Sequence, residues 1–357
     1  MAYVISPQAK YEYIPGLDGI RALAVLLVMI SHTGLEHILP GGFGVTVFFF
    51  VSGFLITRLL LAETQHNGFI ALKAFYIRRF LRLMPALYAM IAVVFMGLWV
   101  LGNPPPLMEL VTSLTYTMNY YKIWLEVNGI AQTGPWGHLW SLAVEEHFYL
   151  LFPLILILFK RSALKICIGL CMAALLWRLV VILGLGLPGT YNYFASETRL
   201  DSILYGCLLS LTLHHYGVSG ALKKMMGLLP ITLAGLLLVF CFLFRDSVFR
   251  ETLRYTLQGI ALFVIILNLY FHSPFSRGTK ILEWPFLRWT GRISYGLYLW
   301  HIPVYLYLDQ HTPIEFASPT YMVSSIALTY LVAALSFRFV ETPVIGLRRK
   351  FGSHAKT

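Results

Sequence analysis

The chain has 357 residues, of which 58% are hydrophobic and only 12% are charged. An ordinary soluble domain has about twice that share of charged residues, and a single water-soluble core does not absorb so much apolar surface. The formal net charge of +11 would suggest nucleic acid as the partner of a soluble protein. Membrane proteins collect Lys and Arg in their cytoplasmic loops, which explains the charge without nucleic acid. The composition therefore predicts an integral membrane protein.

Apolar stretches of about 20 residues, the length that crosses a bilayer as a helix, recur along the whole chain. They predict an all-α, polytopic transmembrane helix bundle that forms one domain over residues 1–357. The first stretch has no small-residue cleavage site, so we expect it to be retained as a span. About ten spans are predicted: 20–39, 43–62, 85–101, 139–159, 165–185, 200–216, 227–244, 253–271, 293–310 and 321–341.

The orientation follows from the distribution of Lys and Arg. If the N-terminus is inside, most of these residues fall in inner loops, and the outer side holds only Lys122, Arg199, Arg245, Arg250 and Arg254. This bias predicts that both termini and the segment 63–84 are cytoplasmic. The largest non-apolar segment, 102–138, then faces outward. Its Tyr, Trp and Asn residues suit either a carbohydrate surface or the membrane interface.

Four cysteines, Cys167, Cys171, Cys207 and Cys241, lie in apolar stretches without the spacing of metal ligands. We expect buried free thiols. No His or Glu pattern typical of a metal site falls within a span, so no metal is predicted.

The first span carries two polar residues, Arg21 and His32, separated by about three helical turns. They share a helix face and lie roughly 16 Å apart along the axis, with His32 in the outer half. Asp18 could pair with Arg21. The alternative is an arginine that extends to the membrane surface and an interfacial histidine without a role.

Arg79 and Arg82 stand one helical turn apart before the third span. Arginine suits bidentate contact with phosphate. The alternative is ordinary cytoplasmic charge or attraction to anionic lipid headgroups.

The fourth span contains two adjacent carboxylates, Glu145 and Glu146, which need a reason inside a membrane. Ser141, Glu145 and Tyr149 share one face. A carboxylate there can orient a histidine or act as an acid or base. The alternative is a buried ion pair that fixes helix packing.

Other polar residues lie in or beside later spans: Arg199 and Asp201, then Ser294, Tyr298 and His301, and finally Glu341. The first two can belong to the acceptor site or pathway, or form a structural pair at the outer surface. The next three share a face and can line a polar conduit or make interhelical hydrogen bonds. Glu341 is expected to pair with an inner arginine.

Taken in order, these motifs resemble the membrane-bound acyltransferase 3 family over nearly the whole chain. The matching segments are 13–22 (YIPGLDGIRA), 49–56 (FFVSGFLI), 78–85 (RRFLRLMP), 140–149 (WSLAVEEHFY), 199–201 (RLD), 294–301 (SYGLYLWH) and 339–343 (FVETP). One departure is His147, where the family more often has Gln. Some members carry a fused esterase-like domain, for which these 357 residues leave no room.

The resemblance implies transfer of an acyl group, usually acetyl, from cytoplasmic acyl-CoA to a hydroxyl of an extracytoplasmic carbohydrate or lipid-linked glycan. It implies a bacterial cytoplasmic membrane, with acyl-CoA as a substrate and no bound cofactor. Donor binding is expected at Arg21, Arg58, Arg79 and Arg82. His32 is the expected general base, with Glu145 or Glu146 orienting it or binding the sugar. The alternatives are a succinyl or longer donor, a non-sugar acceptor, or a transporter of acyl groups or small anions without chemistry.

Overall fold

The computed structural model describes residues 14–131, 134–272 and 276–349, and within these ranges every regular element is a helix. In chain order the α-helices are α1 (Leu17–Ile30), α2 (Gly41–Asn67), α3 (Leu72–Val100), α4 (Leu107–Leu114), α5 (Met118–Val127), α6 (Trp140–Leu158), α7 (Ala163–Leu179), α8 (Gly189–Phe194), α9 (Ser196–Tyr216), α10 (Gly220–Lys224), α11 (Leu228–Leu243), α12 (Ser247–Glu251), α13 (Leu253–Phe271), α14 (Ser276–Leu282), α15 (Pro285–Arg292), α16 (Ser294–His311), α17 (Pro319–Ser336) and α18 (Thr342–Arg349).

Each of the predicted spans coincides with one of these helices. Among the described residues, 7 helices are long and apolar enough to cross a membrane, while α11 is apolar but shorter. Helices α9 and α16, which carry several of the polar residues singled out above, fall outside that group. The prediction of a helical membrane protein is confirmed. The number of crossings and the cytoplasmic placement of the termini stay predictions, and residues 1–13 and 350–357 lie outside the described residues.

Two predicted boundaries differ from the observed ones. The third span was expected to begin at Pro85, but α3 begins at Leu72, so Arg79 and Arg82 lie on a helix and not in a loop. Residues 72–84 are mostly good helix formers, and their propensity extends the apolar span toward its N-terminal end. The preceding helix continues to Asn67 and ends at Gly68, whose φ of +82° favours glycine.

The chain divides into two compact units. The first draws its described residues from 1–20, 46–70 and 142–285, and the second from 21–45, 71–141 and 286–357. Each unit contains several long helices of its own.

In the first unit, α2 and α9 pack backbone against backbone at two glycines. A Cβ atom at Gly53 would collide with the carbonyl of Ile203, and one at Gly206 would collide with the carbonyl of Phe50. Small residues permit this close approach of membrane helices. The Ser210 hydroxyl donates to the Phe54 carbonyl at 2.7 Å and adds a polar contact to the same interface. The four cysteines are buried free thiols, as the sequence predicted.

Replacing Gly206 by Ala should therefore destabilise the first unit, although alanine is the better helix former. The added methyl group meets backbone atoms of α2, and such overpacking typically costs about 1–3 kcal/mol. Gly169→Ala on α7 is the matched control, because a Cβ atom there meets nothing within 4 Å. Thermal unfolding in detergent should give a lower melting temperature for Gly206→Ala only. Equal melting temperatures for the two variants would contradict this account of the interface.

Candidate functional site

Three histidines meet in the second unit. His32 comes from the turn after α1, His138 from the short turn before α6, and His301 from α16. His32 Nδ1 lies 3.1 Å from His301 Nε2, and the two rings stack with their centroids 5.2 Å apart. The edge of the His138 ring meets His301 at a centroid distance of 5.1 Å. His301 is fully buried whereas His32 is exposed, so only His32 is open to a substrate.

The hydrogen bonds define which nitrogen of His32 can act as a base. His301 Nδ1 lies 2.6 Å from the carbonyl oxygen of Tyr298, so Nδ1 must carry the proton that it donates. In a neutral His301, Nε2 is then an acceptor, and His32 Nδ1 must donate to it. The second nitrogen of His32, Nε2, therefore keeps its lone pair. This is the tautomer that a general base requires.

A local break in the first helix positions His32. The α-helix ends at Ile30 and continues as a π-helical turn from Ser31 to Leu35. Gly34 in this turn has φ +99°, and a Cβ atom there would lie 2.5 Å from Cβ of Ala317. Only glycine fits this position without strain. The predicted span over 20–39 is found as Leu17–Leu35, so it ends earlier than expected and its last turn departs from a regular α-helix. Such π turns are frequent at functional sites.

Tyr298 connects the turn that carries His138 to α16. Its hydroxyl donates to the His138 carbonyl at 2.8 Å and lies 2.6 Å from the Ser141 hydroxyl. His138 Nε2 in turn donates to the carbonyl of Leu299 at 3.1 Å. The sequence left two roles open for Tyr298, a polar conduit or hydrogen bonding between helices. The structure supports hydrogen bonding between helices. Ser294 is buried on the same helix.

Sequence reasoning missed Glu109, a buried carboxylate on α4. The residue is 1% exposed, and its carboxylate accepts the backbone N–H of Trp136 at 3.2 Å. It also contacts Gly134 so closely that a Cβ atom there would collide with it. Glu109 thus holds the segment that leads into His138. The only signal in the sequence was that Glu109 is a single carboxylate on a short amphipathic stretch, between the prolines at 104–106 and the Gly-Pro pair at 134–135.

A cationic cluster lies elsewhere in the same unit. Arg21 is on α1, and Arg79 and Arg82 are half-buried on α3. The carboxylate of Glu341, which follows α17, interacts electrostatically with Arg82 and Arg21. This agrees with the expectation that Glu341 faces inner arginines. The guanidinium of Arg79 lies 5.9 Å from the centre of the Phe75 ring, which fixes its direction.

The two adjacent carboxylates belong to the first unit, as does Arg58. Glu145 accepts hydrogen bonds from the Ser52 hydroxyl at 2.8 Å and from the Tyr149 hydroxyl at 3.4 Å. The predicted shared face of Glu145 and Tyr149 is confirmed. Next to Glu146, His147 Nδ1 lies 2.7 Å from the Ser196 hydroxyl.

Asp201 is paired with Arg178 of α7 and not with Arg199. The Arg178 guanidinium donates to both carboxylate oxygens, at 2.9 and 2.7 Å, and both side chains are fully buried. The Thr256 hydroxyl joins the pair by accepting from Arg178 at 2.6 Å. Arg199 instead stacks on the Tyr255 ring at 4.0 Å and donates to the Thr46 hydroxyl at 3.1 Å. Asp201 therefore serves a buried ion pair in which both of its carboxylate oxygens are bonded, and loss of either partner would leave a charge without compensation.

A cavity of about 570 Å³ opens beside α16 in the second unit. It is lined by Trp300, Val304 and Tyr307, which follow one face of the helix. His301 and Tyr305 follow another face, so the cavity does not open onto the histidines. Within the parts of the chain that the structure describes, no group of His, Cys, Asp or Glu side chains is arranged to hold a metal ion.

Comparison with known proteins agrees with the motifs. Residues 14–338 match the family model described as an acyltransferase domain, Acyl_transf_3. The chain belongs to this acyltransferase family. It is 36% identical over 357 aligned residues to the peptidoglycan O-acetyltransferase OatA of Listeria monocytogenes, covering 93% of this chain and 56% of that protein. It is 32% identical over 350 residues to the O-acetyltransferase OatA of Staphylococcus aureus, covering 93% of this chain and 57% of the relative.

The chain thus spans a little over half the length of these relatives of the family. No solved structure matches it.

Proposed function

We propose that this acyltransferase moves an acetyl group from cytoplasmic acetyl-CoA to a hydroxyl of a cell-wall carbohydrate outside the bacterial cytoplasmic membrane. The names of its relatives support the acetyl group and the peptidoglycan-like acceptor. The observation that carries the chemistry is the hydrogen bond between exposed His32 and buried His301, which leaves one basic nitrogen of His32 accessible. An imidazole is the side chain best suited to proton transfer near neutral pH.

In the proposed reaction, His32 Nε2 removes the proton of the acceptor hydroxyl as its oxygen attacks the thioester carbonyl. The tetrahedral intermediate collapses with cleavage of the carbon–sulfur bond. The departing CoA thiolate takes the proton from the His32 imidazolium, so the enzyme returns to its starting state. Glu145 and Glu146 belong to the first unit, and their part in orienting His32 or binding the sugar stays a prediction.

The donor is assigned to the arginine cluster. Arg79 and Arg82 on α3 would contact the phosphates of CoA, and Arg21 would guide the pantetheine arm toward His32. Arg58 belongs to the first unit, and its contact with the donor stays a prediction. Arginine suits this task because its planar guanidinium binds phosphate through two parallel hydrogen bonds. Glu341 counters part of the positive charge of Arg21 and Arg82, and we assign it the task of orienting these side chains.

Arg79→Ala and Arg82→Ala should each raise KM for acetyl-CoA by about 10- to 150-fold, because a charge-assisted hydrogen bond contributes about 1.5–3 kcal/mol. The effect on kcat should be smaller, since the contact is made in both the ground and transition states. Lys73→Ala on α3 is the matched control: it removes one positive charge at an exposed position, about 120° from Arg79 and about 180° from Arg82 around the helix. Steady-state kinetics at saturating acceptor gives both constants. An unchanged KM in Arg79→Ala and Arg82→Ala would mean that these arginines do not bind the donor and only help to set the orientation of the chain in the membrane.

The proposed function itself is tested with the purified chain in liposomes, labelled acetyl-CoA on one side and cell-wall carbohydrate on the other. Acetyl transfer should release free CoA on the donor side and place the label in ester linkage on the carbohydrate. A transporter would move the label across without releasing CoA. That result would overturn the proposal, as would CoA release with the label found only on lipid.

A further inference from the structure

A second cavity, in the first unit, lies where three long helices end. It has a volume of about 630 Å³ and opens between the last turns of α2, α6 and α9. Its polar lining consists of Lys160, Arg161, His214 and His215, with Thr64 and Gln65 beside them. Neither the catalytic proposal nor the arginine cluster makes use of these residues.

The cationic side chains of this cavity lie at the ends of helices of membrane-crossing length, the level at which lipid headgroups are expected. Lys160 and Arg161 follow directly after α6, a membrane-crossing helix that ends at Leu158. His214 and His215 occupy the last turn of α9. Both basic residues are exposed, and the charge distribution assigns this end of the helices to the cytoplasmic side. A negatively charged headgroup at this level would meet two fixed cations.

The other part of the cavity is apolar and continues onto the surface of α6. Leu61, Leu156 and Leu211 line its inner wall. Along α6, one exposed stripe leads to the cavity and consists of Leu150, Leu151, Leu154, Ile157 and Leu158. These positions recur at the spacing of a single helix face. Ile157 belongs both to the stripe and to the cavity lining, so the apolar track and the cationic end are continuous.

We propose that this cavity binds one anionic phospholipid of the inner leaflet, of the phosphatidylglycerol class. Lys160 and Arg161 hold the phosphate by charge-assisted hydrogen bonds, and the histidines and Gln65 contact the polar headgroup. The acyl chains lie along the exposed stripe of α6. A water-soluble phosphate compound would use the cationic end but would leave the apolar track unoccupied. Basic pockets between membrane helices on the cytoplasmic side are suited to such headgroups.

The test is native mass spectrometry of the full chain released from detergent, with phosphatidylglycerol or phosphatidylcholine of identical acyl chains. The wild-type chain should retain phosphatidylglycerol in preference to phosphatidylcholine. The double variant Lys160→Gln/Arg161→Gln should lose roughly 10- to 30-fold in affinity for phosphatidylglycerol, from the usual contribution of two basic residues near a membrane surface. The matched control is Lys223→Gln/Lys224→Gln on α10, which removes the same charge from the same unit outside the cavity.

Equal losses in the two double variants would overturn the proposal, because the effect would then be one of overall charge. A second arm uses the wild-type chain and adds inorganic phosphate or coenzyme A as competitors. Neither should displace long-chain phosphatidylglycerol at equal concentration. Displacement by coenzyme A would reassign the cavity to a nucleotide, and displacement by phosphate would show that the apolar track contributes nothing. A dioctanoyl lipid should bind more weakly than its long-chain counterpart, and equal binding of the two would also contradict the site.

Discussion

His32→Gln should lower acetyl transfer by about 10²- to 10⁴-fold, the usual contribution of a general base. Glutamine retains the approximate size and hydrogen-bonding capacity of histidine, but its carboxamide cannot accept a proton at neutral pH. His32→Ala should be equally inactive. Membrane insertion should not suffer in either variant, because neither adds a charge to the span. The rate is measured as CoA release from acetyl-CoA at saturating acceptor.

His37→Gln is the matched control for this experiment. His37 lies in the turn that follows the π turn of His32 and is exposed. It has no assigned part in the chemistry, so its variant should turn over at the wild-type rate. Size-exclusion chromatography and thermal unfolding verify that all variants are folded. Near-normal turnover in a folded His32→Gln variant would remove His32 from the chemistry. The search for the base would then move to Glu145 and Glu146.

The sequence predicted the helices because the membrane imposes a length and an apolar composition on every span. Each predicted window lies on a helix, with errors concentrated at the ends. At the start of α3, residues 72–84 belong to the helix, but their four charged side chains kept this segment out of the predicted apolar span. At the end of α1, the π turn depends on the conformation of Gly34 against Ala317, a contact between segments far apart in the chain. A search for apolar stretches of about 20 residues detects neither the charged start of α3 nor the π turn of the first span.

Sequence reasoning found the candidate residues whose relation depends on their spacing within one helix. Helical periodicity placed Tyr298 and His301 on one face and Glu145 beside Tyr149. The rings of the first pair lie 5.3 Å apart, and a hydrogen bond joins the second pair. Periodicity contains no information on which helices meet. The bond between His32 and His301 joins residues 269 positions apart. For the same reason Asp201 was matched with Arg199, its neighbour in sequence, and not with Arg178 on another helix.

His301→Phe should reduce kcat by about 10- to 100-fold, the usual scale for loss of a partner that orients a functional imidazole. Phenylalanine preserves the ring that stacks on His32 but offers no acceptor to its Nδ1–H. His32 then exchanges between tautomers, and only a fraction of molecules present a basic Nε2. KM for acetyl-CoA should stay constant, because His301 is buried and does not contact the donor. Full kinetics of the folded variant separate the two constants.

His301→Gln distinguishes a positioning role from a merely structural one. The carboxamide oxygen of glutamine can accept the proton of His32 Nδ1, so this variant should recover most of the activity that His301→Phe loses. Tyr305→Phe is the matched control. It removes the hydrogen bond from the Tyr305 hydroxyl to the Met29 carbonyl, which also ties α16 to α1, but it keeps the ring that meets His301. That variant should keep its kcat even if its melting temperature falls. If the Gln and Phe variants of His301 lose activity equally, or if kcat follows the melting temperature across all three, the tautomer of His32 is not set by His301. His32 Nε2 keeps its lone pair only while an acceptor binds the proton on Nδ1. The ratio of kcat between His301→Gln and His301→Phe therefore measures how much this acceptor contributes to the rate.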